Sequence, residues 1–239
     1  MSAFAACEEL VRRHDPDRYF SALFAPADKR HFLYSLYALN YELARVAETV
    51  HEPMLGEIRL AWWRETVEGA RAGNPRNQNV AKALAETLAV HDLPQELFER
   101  MVEARGFDVS PDTFADMAAL EVYADATSGS LMRLAARLLG APSDAMAREA
   151  GIAYALSGVL RAIPFHAAHS KHFMSDDLVA AVKRRAQDRL DAARQITVPP
   201  ESLPAFLPAA LVPLYLKRPD ASQWRRQIAF LRAAMRGHI

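Results

Sequence analysis

The stretch SALFAPADKRHFLYSLYALNYELARVAETV, residues Ser21 to Val50, decides the fold class. Within it Phe32, Leu36, Leu39, Leu43, Val46 and Val50 recur at alternating steps of four and three. That spacing puts all six on one stripe of an α-helix, whereas a strand would need apolar residues at every second position. The spacing predicts a helix over 27–50 with its stripe turned to a core. Ile152, Leu156, Val159 and Ile163 form a second seam of the same kind, predicting a helix over 143–168. No segment alternates convincingly, and no Asn-Gly or Asp-Gly turn occurs, so the chain reads as all-α.

Working outward, the same reading predicts helices near 3–13, 17–24, 54–72, 78–90, 95–105, 112–139, 175–194, 203–217 and 221–236. Asp15-Pro16 opens the second of the chain's helices, since Asp caps free amide groups and Pro is tolerated in a first turn. Ser110-Pro111 and Pro142-Ser143 are predicted to open later helices, and Gly73, Gly106 and Gly140 to close earlier ones. Pro204, Pro208 and Pro213 interrupt the apolar run Leu203 to Leu216, which predicts a kinked buried helix or two short ones. Peripheral membrane contact through that run is a second expectation. The turns are short, with Thr197 to Pro204 the only loose joint, so one domain over 1–239 is expected.

Composition narrows the function classes. With 239 residues and 51% apolar content the chain can bury a sizeable core. Its 29 Lys plus Arg balance 29 Asp plus Glu, which removes the basic excess of a nucleic-acid binder. The single cysteine, Cys7, has no partner for an internal disulfide and no flanking base to activate it, which fits a reducing, cytoplasmic setting. No secretory pattern opens the chain and no run of 18 apolar residues occurs, so contact with a membrane would be peripheral, at its inner face.

The Ser21–Val50 stretch resembles the squalene/phytoene synthase family, with its "ALYA" helix followed by an acidic motif. Four further segments agree in order: GEIRLAWWRETV (Gly56 to Val67), LEVYADATSGSLMRLAARLLG (Leu120 to Gly140), GIAYALSGVLRAIPFHA (Gly151 to Ala167) and the arginine-rich final helix. The resemblance implies a single-domain isoprenoid-synthase-type helical bundle around a central apolar cavity. It also implies head-to-head joining of two prenyl diphosphates such as farnesyl or geranylgeranyl diphosphate. In that chemistry Mg²⁺ neutralises the leaving diphosphate, so opposed helices must supply paired carboxylates as hard oxygen ligands.

Those carboxylates are largely missing. The first acidic motif falls on Ala44, Arg45 and Glu48, and the second on Ala162, Phe165 and His166, with Ala155 and Gly158 at upstream polar positions. One acid remains of six. Ala and Phe offer no oxygen, and Arg45 beside a dication would cost several kcal/mol at a partly buried site. Metal-dependent catalysis is therefore expected to be lost, with no cofactor unless the prenyltransferase activity survives with Mg²⁺. Keeping the fold while losing the aspartates resembles the branch of the family that includes a mitochondrial complex I assembly factor and its alphaproteobacterial relatives. That resemblance implies a binding role with a protein partner in respiratory-complex assembly, and a prenyl or other lipid in the cavity. Candidate ligand contacts are Tyr37, Tyr41, Arg45, Glu48, Tyr123, Gly129, Arg161 and His166, with no residue assigned to metal.

Several patterns admit plainer readings. Glu42, Arg45 and Glu48 are spaced for ion pairs along one helix. His166, His169 and His172 lack the further ligands a zinc site needs. Trp62-Trp63, with Arg59 and Arg64, reads as core packing before it reads as a prenyl pocket. Gly129 suits a close helix approach, and Arg161 is the best-placed cation for an anionic group.

Overall fold

The computed structural model describes residues 1–50, 52–168 and 176–239, the side chains of 164–168 and 176 excepted. The helices that open the chain are Ala3–His14 (α1), Pro16–Ala22 (α2), Arg30–Ala44 (α3), Val46–Thr49 (α4) and Pro53–Arg71 (α5). Asn79–Val90 (α6), Gln95–Ala104 (α7), Gly106–Val109 (α8), Met117–Ala124 (α9) and Ser130–Leu139 (α10) follow. Asp144–Ala168 (α11), Asp176–Arg194 (α12), Leu203–Phe206 (α13), Val212–Lys217 (α14) and Gln223–Arg236 (α15) end the order. No strand occurs among the described residues.

The Ser21–Val50 stripe is buried as its period demands. Leu36, Leu39, Leu43 and Val46 are buried, and Phe32 and Val50 pack against the core from its edge. The predicted single helix is nevertheless two, because the backbone turns at Arg45 and α4 restarts one residue later. Asp15 caps α2 by accepting from the Arg18 amide, and Gly140 ends α10 in the left-handed region at φ 89°.

Other boundaries differ for local reasons. Ser110-Pro111 opens no helix: Ser110 Oγ accepts the Asp112 amide in a turn, and α9 starts later, where Asp116 caps the Ala119 amide at 2.8 Å. Gly106 begins the short α8 instead of ending α7. The predicted helix over 112–139 is α9 and α10 joined by a π-helical turn, Asp125–Gly129. Pro200–Ser202 forms a 3₁₀ turn, with Ser202 buried, where a loose joint was expected.

The proline-broken run folds as α13, a 3₁₀ turn over Leu207–Leu211, and α14. Its side chains Leu203, Phe206, Leu207, Leu211, Val212 and Tyr215 all face the core. Most of the run's apolar surface is spent on the core, with Pro213, Leu214 and Leu216 only partly buried. α10 is buried on nearly every side, packed by α3, α7, α11 and α13. Gly151 on α11 meets the π turn so closely that an added Cβ would lie 2.5 Å from the Gly129 Cα. This contact seats α11 against the π turn, and the same stretch of α11 continues into the wall of a cavity.

Candidate functional site

A cavity of about 750 Å³ opens between α3–α4, the α8–α9 segment, the π turn and α11. α11 presents Ala155, Gly158, Val159 and Ala162 to it, one face of a helix built from small or apolar residues. Ala44 and Ala47 stand on the α3–α4 side, and Phe114 and Val109 add apolar surface. The cavity is not apolar throughout, because Arg18, Arg105 and Arg161 also line it.

Each arginine is held differently. Arg105 Nη1 donates to Asp108 Oδ2 at 2.9 Å and to Tyr123 Oη at 2.8 Å, and Tyr123 Oη donates to Asp108 Oδ1 at 2.8 Å. Burial pushes the Tyr123 hydroxyl far above its ordinary range, so it stays a neutral donor. Arg18 pairs with Asp15 at 2.8 Å, reaches Ser128 Oγ at 3.4 Å and lies over the Tyr154 ring at 5.0 Å. Arg161 lies 3.8 Å over the Tyr215 ring and donates to the Pro219 carbonyl at 3.2 Å.

Behind Arg161 sits Asp17, only 4% exposed. Its carboxylate accepts from Tyr154 Oη at 3.0 Å, from Tyr215 Oη and from Arg226 Nη1 at 2.7 Å. Arg161 comes no nearer to it than 3.8 Å. Arg18 and Arg105 are thus each matched by a carboxylate at ion-pair distance. Asp17 is already satisfied by other donors, which leaves Arg161 the least neutralised of the three cations facing the cavity.

Among the sequence-derived candidates, Ala44, Glu48, Tyr123, Arg161 and Ala162 line the cavity together. Arg45 lies outside the lining: it pairs with Glu42 at 3.4 Å and covers the Tyr41 ring at 5.6 Å. Tyr41 in turn stacks on His14 at 4.5 Å. Tyr37 is buried in the core, where desolvation pushes its hydroxyl up to about 12. Gly129 lies behind the lining against α11. The side chains of Phe165 and His166, and the residues His169 and His172, fall outside the described residues.

Trp63 is core and Trp62 packs under Arg76 at 5.0 Å, so neither reaches the cavity. Cys7 is buried, and desolvation followed by the charge of Glu42 pushes its thiol up to about 12. Arg18, Arg105, Asp108, Tyr154 and the Asp17 cluster were not singled out from sequence. Arg18 and Arg105 each stand three residues from their acidic partner, a local signal that was available. Asp17, Tyr154, Tyr215 and Arg226 give no local signal, since the chain brings them together from α2, α11, α14 and α15.

A magnesium-bound diphosphate requires clustered carboxylate oxygens. Here Glu48 and Glu52 lie at one side of the cavity, Asp108 is engaged by Arg105 and Tyr123, and α11 lines it with Tyr154, Ala155, Gly158, Val159, Arg161 and Ala162, none of them a carboxylate. Among the described residues no three His, Cys, Asp or Glu side chains converge as a metal site. This donor set does not fit a magnesium cluster.

Residues 11–193 match the family model for squalene/phytoene synthase, most of the chain. The chain belongs to the squalene/phytoene synthase family. Within it, the chain is 30% identical over 240 residues to the Homo sapiens protein named NADH dehydrogenase (ubiquinone) complex I, assembly factor 6, covering 89% of this chain and 72% of that protein. It is 23% identical over 204 residues to a 15-cis-phytoene synthase of Synechococcus elongatus, covering 78% and 65%. The fold is similar to a dehydrosqualene synthase crystallised with a ligand, at a TM-score of 0.82 and 14% identity, covering 98% of this chain and 95% of that one. The all-α isoprenoid-synthase architecture expected from the sequence is thereby shown.

Proposed function

We propose that this member of the squalene/phytoene synthase family acts by binding and not by metal-dependent prenyl transfer, as an accessory or assembly factor for respiratory complex I. The observation that carries the reading is a synthase-type cavity whose opposed walls hold Ala44, Ala155, Gly158 and Ala162, with Arg18, Arg105 and Arg161 also in its lining. Similarity to complex I assembly factor 6 over most of the chain supplies the partner class. The cavity's chemistry suits a prenyl or other lipid chain along the α11 wall, with its anionic head at Arg161. No cofactor enters this role, because guanidinium groups supply the positive charge directly. In this reading the protein acts at the cytoplasmic side, free or peripheral; among the described residues no helix is long and apolar enough to cross a membrane.

Deletion in the native host tests the reading. Complex I on native gels and NADH-driven respiration are expected to fall and to recover on re-expression, and normal assembly in the deletion strain overturns it. Similarity to the phytoene synthase favours a second reading, in which the chain is an active head-to-head prenyltransferase. Purified protein given farnesyl or geranylgeranyl diphosphate with Mg²⁺ separates the two, since a metal-dependent C30 or C40 product would establish catalysis.

A further inference from the structure

α15 has two apolar faces, and the body of the protein uses only one. Phe230 and Ala233 are buried in the core, and Arg226 is fixed to Asp17 at 2.7 Å. On the outer side Trp224, Ile228, Leu231 and Met235 are 57%, 37%, 52% and 80% exposed. Their spacing of four, three and four makes them one continuous stripe along the helix. Arg225, which covers the Trp224 ring at 5.1 Å, joins Arg232 and Arg236 along one edge of this stripe. No Asp or Glu lies anywhere in Gln223–Arg236. Lys217 and Arg218 precede the helix, with Asp220 the only nearby acid in sequence.

We propose that the outer face of α15 docks this protein on a bilayer that carries anionic phospholipid. An apolar stripe bordered by arginines with no acid is the pattern of a helix lying in a lipid interface, the apolar side chains entering the acyl boundary and the guanidinium groups reaching phosphate. A second copy of the chain is a poor occupant, because it would set one arginine-lined stripe against another. One helix stripe is also small beside the roughly 800 Å² per partner that a stable protein interface buries. The inner face ties α15 to the core and to Asp17, so the stripe is presented on a fixed element. It lies outside the cavity lining, and the inference goes beyond the assembly reading: either can fail while the other stands.

Co-sedimentation of the full chain with vesicles tests it. Binding is expected to phosphatidylcholine vesicles containing phosphatidylglycerol, to be much weaker on phosphatidylcholine alone, and to fall as salt rises. Ile228→Ser with Leu231→Ser is expected to weaken partitioning at least about tenfold. Arg232→Gln with Arg236→Gln is expected to remove the preference for anionic vesicles. Met235→Ser, at the most exposed position of the stripe, gives a variant whose thermal melt should match the parent while its binding drops. Failure of the parent protein to sediment with anionic vesicles overturns the proposal. So does equal sedimentation of the stripe variants, or a dimer that these substitutions dissolve.

Discussion

Gly151 and Gly158 lie on the same helix and face opposite demands. A Cβ at Gly151 would stand 2.5 Å from the Gly129 Cα and 2.6 Å from its amide nitrogen, both backbone atoms that no rotamer change can move. A Cβ at Gly158 meets nothing within 4 Å. Gly151→Ala is therefore expected to destabilise by about 1–3 kcal/mol, and Gly158→Ala to stabilise by about 0.5–1 kcal/mol through helix propensity. Urea unfolding of the two variants checks this, and similar midpoints for both would contradict the close-approach account. Gly129 was legible in sequence as a site of helix approach. Its partner Gly151 was not, because only packing decides which residue it meets.

Arg189 shows how elements are locked together. From α12 it donates to both carboxylate oxygens of Glu121 on α9, each at 2.8 Å, and its Nη1 lies 2.9 Å from Glu149 Oε2 on α11. The Arg189 hydrogen bond, against an opposing cost of burial, holds the Glu121 carboxyl below its ordinary value. A carboxyl depressed in the folded state contributes stability above its unfolded pKa and loses it as pH falls through the folded one. Glu121→Gln is thus expected to cost about 1–3 kcal/mol at neutral pH, with the gap from the parent closing as pH falls below the usual carboxylate range. Melts from pH 7 to pH 3 read this directly, and a gap that stays constant with pH would exclude the ion pair as its source. At this scale the sequence was legible where signals are local, as in the Asp15 cap, the Gly140 stop and the Leu36–Val46 stripe. It misled at Ser110-Pro111, where the side chain closes a turn, and over 125–129, where a π turn leaves no break in composition.

The whole molecule brings three arginines from α2, the α7–α8 joint and α11 to one cavity. If this cavity binds an anionic lipid by guanidinium charge alone, farnesyl diphosphate is expected to raise the melting temperature in the presence of a metal chelator. Saturation at a hundred times Kd corresponds to about 2.7 kcal/mol of added stability. Arg161→Gln should remove most of that gain while lowering the unliganded melt only modestly, because the carboxylate nearest Arg161, Asp17, stands 3.8 Å away and is held by three other donors. A thermal shift that appears only when Mg²⁺ is supplied would restore the metal-dependent reading. By itself the sequence determined the all-α class and the loss of acids at Ala44 and Ala162, since helical period and residue chemistry are properties of short segments. Only the tertiary structure decided that Arg45 turns away while Arg18 and Arg105 turn in, and that Asp17 is satisfied without Arg161. Helix crossings and the turn at Arg45 set those directions, and they depend on contacts between residues far apart in the chain.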